Sequence, residues 1–201
     1  MANSLTLVEI SAFSGLAGAL LTQLVTAFNT YLTDRRKQSF ELGAEYRARK
    51  AETGEHFYFM TGEKMAAIKK NVGYWRNWNN SRSSSSLQFL TAETRQFNAQ
   101  LEKLDSENWK YNLVEMYYGI EFTQAKVHES NDRSHRLYLA YLDVADRITG
   151  ASEDETETLY QRYATIVFEM CGHYEQVYQL LERDRQLVRN ELAGMFARIK
   201  I

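Results

Sequence analysis

From Ile10 to Thr33 the chain reads ISAFSGLAGALLTQLVTAFNTYLT, a run with no charged residue that stops at Asp34-Arg35-Arg36-Lys37. As a helix, its 24 residues rise roughly 36 Å at about 1.5 Å per residue, enough to cross the roughly 30 Å hydrocarbon core of a bilayer with some tilt. The pattern predicts one membrane-spanning helix. At about 100° per residue, Ser11, Ser14, Gly15, Gly18, Thr22, Thr26, Asn29 and Thr33 gather within about 120° of arc. Phe13, Leu16, Leu20, Leu24, Phe28 and Tyr31 supply an apolar surface on the other side.

Three arrangements satisfy such a polar face. Small residues one turn apart, in the rows Ser11, Gly15, Ala19 and Ser14, Gly18, Thr22, let helices approach closely. Copies arranged in a ring would turn the hydroxyls and Asn29 toward a hydrated lumen. A lone anchor would bond its hydroxyls back to carbonyls of the preceding turn.

Apolar spacing of three and four continues beyond the run. Helix formers extend to Gly54, so the first helix is expected from about Leu5 to Thr53. A second is expected from Glu55 to about Trp78, with Phe57, Met60, Met65, Ile68, Val72 and Trp75 in its stripe. The serine-rich stretch Asn79 to Ser86 reads as a loop, with Ser86 as N-cap of a third helix from about Leu87 to Asp105. Ser106 or Asn108 caps a fourth that extends toward His128. A polar break is expected at Glu129 to Asp132, before a further helix that ends at Gly150. Ser152 and Glu155 offer a capping box for a last helix that runs to Ile199.

No segment alternates with a period of two. Proline is absent, where average usage of about 5% gives roughly ten, which favours long helices. The fold class is therefore all-α: a transmembrane helix and basic juxtamembrane turn over residues 1–36, then a cytoplasmic helical domain over 37–201. The side before the run has no Lys or Arg, whereas Arg35, Arg36, Lys37, Arg47 and Arg49 lie beyond it, which places the C-terminal bulk in the cytoplasm. That charge order is the reverse of a secretory signal, so the run is expected to stay in the mature protein. Arg35, Arg36 and Lys37 fall where anionic lipid head groups meet the helix. A net charge of −2 argues against a general nucleic-acid binder. The single cysteine, Cys171, excludes an intrachain disulfide and reads as small apolar filler.

Four histidines, His56, His128, His135 and His173, are the natural places for chemistry. There is no nucleophile elbow, phosphate-binding glycine loop or paired-cysteine metal site, and nothing calls for a cofactor or a metal. Glu169 and His173, one turn apart, read as a helix-face hydrogen bond rather than a ligand pair. The densest chemistry is Ser130-Asn131-Asp132-Arg133-Ser134-His135, with Arg136 beside it.

Within that segment Asn131 and His135 match the asparagine and histidine of the signature of HEPN ribonucleases, which are all-helical bundles. Ser130 stands where that signature carries its arginine. The resemblance implies a candidate catalytic set of Asn131, Arg133 and His135, with nuclease activity weakened by the lost cation. The layout as a whole is one N-terminal span, a basic turn and a helical domain with this altered motif. It resembles the small membrane accessory proteins of type VI-B CRISPR systems. That resemblance implies a HEPN-like fold, a homo-oligomeric ring that forms a pore in the bacterial inner membrane, and an RNA-guided ribonuclease as functional partner. Depolarisation of the membrane would then enhance antiphage defence. A membrane-tethered ribonuclease using His135 with Arg133 or Arg136, and a membrane-anchored adaptor, are the alternatives.

Overall fold

The computed structural model describes residues 2–78, 81–106 and 111–197, with side chains from residue 19 onward except at 111 and 112. It is all-α, with helices α1 (Ala2–Trp78), α2 (Ser84–Ser106), α3 (Tyr111–Tyr117), α4 (Gln124–Thr149) and α5 (Glu153–Ala197), and no strand among the described residues. The chain divides into two compact units, Met1–Arg49 and Lys50–Ile201.

The first unit is helical and has no core among its described side chains. None of residues 19–49 is buried, and Leu20, Leu21, Leu24, Val25, Phe28 and Tyr31 are each more than half exposed. Among the described residues no helix is long and apolar enough to cross a membrane. The expected span begins at Ile10, outside the residues whose side chains are described, and Ser11, Ser14, Gly15 and Gly18 lie outside them too.

The second unit buries its apolar stripes together. Trp75 is fully enclosed, and its indole N–H donates to Thr94 Oγ1 at 2.9 Å. Its ring lies 5.6 Å from both Phe97 and Tyr174, which joins α1, α2 and α5 around one aromatic cluster. Within this unit the pairs Lys64 with Asp105 and Trp75 with Thr94 make α2 antiparallel to α1. The pairs Tyr141 with Tyr163 and Ser134 with His173 make α5 antiparallel to α4.

Three local expectations differ from what forms. The helix does not stop at Gly54 but runs through it to Trp78. Glycine costs a helix interior about 1 kcal/mol relative to alanine, so its presence needs a reason. Gly54 is buried, and a Cβ there would collide with the ring and hydroxyl of Tyr118. The missing side chain lets Tyr118 pass close enough to donate its hydroxyl to the Lys50 carbonyl at 2.7 Å.

The cap of α2 is Ser83 rather than Ser86. Ser83 Oγ accepts the Ser86 N–H at 3.2 Å, while Ser86 itself is buried inside the first turn. The interruption expected at Glu129 to Asp132 instead falls earlier, between Tyr117 and Gln124, and Glu129 to Asp132 are helical. There the buried carboxylate of Asp184, on α5, accepts the N–H of Glu121 at 2.8 Å and of Phe122 at 2.8 Å. Two amides that a continuing helix would have satisfied are thus taken up by a side chain far along the sequence. At the start of α5, Ser152 Oγ donates to the Glu155 carboxylate at 3.1 Å, and the Glu155 and Thr156 amides bond the Ser152 carbonyl rather than its hydroxyl. The two residues therefore pair side chain to side chain, without the backbone bonds of the expected capping box.

Both the Asp184 contact and the space at Gly54 are measurable by denaturant unfolding of residues 50–201. Asp184→Ala should cost about 3 kcal/mol, because it strands two backbone donors, that of Phe122 buried and that of Glu121 part-buried, and Asp184→Asn should cost less. Gly54→Ala should destabilise by about 1–3 kcal/mol through overpacking against Tyr118. Gly73→Ala, with nothing within 4 Å of the added Cβ, should stabilise by up to about 1 kcal/mol.

Candidate functional site

Two features carry possible chemistry, one in each unit. In the first, Thr22, Thr26 and Asn29 are exposed on α1, as are Arg35, Arg36 and Lys37. Thr33 donates its hydroxyl to the Asn29 carbonyl at 2.8 Å, so this hydroxyl is satisfied by its own helix. Lys37 stands 4.0 Å from Glu41 and Arg49 lies 2.5 Å from Glu45, both one turn apart.

In the second unit the early turns of α4 face α1, α2 and α5 across a cavity of about 350 Å³. Asn131 and His135 both line it, together with Ser130, Asp132 and Ser134. Opposite stand Asn98, Glu102 and Asp105 of α2, Lys64 of α1, and Tyr174 and Val177 of α5. Helical spacing explains the α4 wall: once the segment is helical, Asn131 and His135 are separated by one turn and share a face. Arg133 points elsewhere. It is exposed and absent from the lining, and Arg136 and His128 are exposed as well.

Lys64 is the one Lys or Arg among the described lining residues, and it is only 5% exposed. Its ammonium lies 2.8 Å from Asp105, which neutralises it. Phosphoryl chemistry needs a cation aimed at developing oxyanion charge. Here the candidate histidine and asparagine converge, but the arginine does not join them and the lysine is already paired.

Behind this wall, His173 on α5 is 4% exposed, with Nε2 2.9 Å from Ser134 Oγ. It turns toward α4 rather than pairing with Glu169, which is exposed. Burial, reinforced by the nearby Arg133 charge, pushes its pKa from 6.5 down to about 4, against a backbone hydrogen bond with Ser130. Burial also raises the Tyr174 hydroxyl to about 12, partly opposed by a hydrogen bond with Ser134. Ser134 is therefore the polar link between the α4 wall and two buried groups of α5. The remaining buried nucleophile, Cys171, has its thiol pushed up to about 11, chiefly by burial.

Sequence reasoning reached Asn131 and His135 but missed Lys64, Asp105 and Tyr174 as their neighbours. A signal for Lys64 was present, since it sits between Met60 and Ile68 at one-turn intervals inside an apolar stripe. A lysine there has to find an acid. Among the described residues no group of three His, Cys, Asp or Glu is placed to hold a metal ion. No protein-family model, curated protein or solved structure matches this chain.

The depressed His173 pKa has a definite linkage sign. The folded protein keeps this imidazole neutral, whereas the unfolded chain takes up a proton below about pH 6.5. Its contribution is therefore intact above pH 6.5 and is lost as pH falls toward 4. Unfolding of residues 50–201 should show about 3 kcal/mol of acid sensitivity across that window. His173→Gln, compared by the same titration, should flatten it.

Proposed function

We propose that the protein is an oligomeric membrane pore or permeability effector. The run Ile10 to Thr33 would be its span, and a HEPN-like helical domain would lie on the cytoplasmic side. The observation that supports this most is the surface of the first unit, where Leu20, Leu21, Leu24, Val25 and Phe28 are each more than half exposed among the described residues. Large contiguous apolar surface on a helix calls for lipid or another helix. The same helix exposes Thr22, Thr26 and Asn29 to one side, which an inert tether has no use for. Arg35, Arg36 and Lys37 at the end of the uncharged run support a cytoplasmic position for the helical domain.

Partnership with an RNA-guided ribonuclease of a type VI-B CRISPR system, and antiphage defence by depolarisation, are proposed on the resemblance in layout and on Asn131 and His135. A nuclease role for the helical domain is less well supported, because Arg133 stays outside the cavity and Asp105 holds Lys64.

The test is membrane potential in cells that express the full chain beside an activated partner nuclease. Wild type should depolarise the membrane. The triple change Thr22→Leu, Thr26→Leu and Asn29→Leu should abolish depolarisation while membrane insertion, read by carbonate extraction, is retained. A protein that runs as a monomer in detergent and leaves the potential unchanged sinks the reading.

A further inference from the structure

The acids beyond the uncharged run keep to one side of α1, away from its polar face. At about 100° per residue, Thr22, Thr26, Asn29, Thr33, Arg36, Phe40 and Arg47 lie within about 80° of arc. The acids Asp34, Glu41 and Glu45 fall within about 40° of one another, centred about 120° away. Arg35 falls on the side of Leu24 and Tyr31 instead.

Pairing reinforces the sorting. Lys37 and Arg49 flank the acids and lean on Glu41 and Glu45. Arg36 has Leu32, Thr33, Ser39 and Phe40 at the positions three and four away, and Arg47 has Gly43, Ala44, Lys50 and Ala51. None is an acid, so no carboxylate one turn away along the helix can screen either guanidinium. Both Arg36 and Arg47 are exposed. Past its cytoplasmic end, the charged residues that continue the polar stripe, Arg36 and Arg47, are both cationic.

We infer that Arg36, with Arg47 below it, makes the permeation path selective for anions. This rests on the pore reading, in which the Thr22, Thr26 and Asn29 face lines the lumen. Each copy would then contribute one Arg36 to a ring at the cytoplasmic mouth, where a ring of fixed positive charge concentrates anions and repels cations. Arg35, beneath the apolar face, meets lipid head groups and leaves selectivity alone.

The experiment is reversal potential of the full-length protein in planar bilayers across a potassium chloride gradient. Wild type should reverse toward the chloride equilibrium potential. Arg36→Gln should lose most of that preference, Arg36→Glu should invert it toward potassium, and Arg36→Lys should retain it. Arg35→Gln removes the same charge from the same turn, so it controls for altered insertion and should leave the reversal potential unchanged. A conductance whose selectivity ignores Arg36 and Arg47, or depends on Arg35 equally, overturns this inference and leaves the pore standing. Absence of any conductance in wild type, together with an unchanged membrane potential in cells that also express the activated partner nuclease, overturns both.

Discussion

The carboxylate of Asp184 fixes where the chain leaves α3 and enters α4. By accepting the N–H groups of Glu121 and Phe122, it holds a loop that would otherwise present unpaired donors inside the protein. The start of α4 sets the phase of every turn after it. That phase places Asn131, Ser134 and His135 along the cavity shared with Lys64, Asp105 and Tyr174, with Asn131 and Ser134 half-buried and His135 exposed. Burial of the acid raises its pKa while its two amide partners lower it, so the group works against its own desolvation.

Much of the second unit was legible from spacing alone. The long run from Leu159 to Leu192 keeps apolar residues at three and four apart, and its buried members obey that spacing. What failed was punctuation. Gly54 reads as a stop because glycine is poor in helices, yet it serves as room for Tyr118, a residue 64 positions away. Glu129 to Asp132 read as a break because they are polar, but in α4 they sit on exposed or half-exposed positions where polarity costs a helix little. The true interruption is dictated by Asp184, and nothing local at Tyr118 to Thr123 reveals which acid will reach it.

The candidate site divides the same way. One turn of helical spacing already put Asn131 and His135 together, so half of the cavity wall could be read in advance. The other half comes from α1, α2 and α5, and depends on how those helices pack. Arg133 shows the limit of motif reasoning: it lies between the two lining residues in sequence, but two residues along a helix is about 200° of rotation. It therefore acts on the interior only at a distance, through the charge it places near His173.

Cys171 has a practical corollary. It is the chain's single cysteine, it is buried, and its thiol is held well above neutral pH in the unreactive protonated form. The native protein is therefore close to a cysteine-free background without any engineering. A thiol introduced on the exposed surface of α1 would be the dominant reactive one, so water-soluble and lipid-soluble maleimides can report, position by position, which faces of that helix meet water.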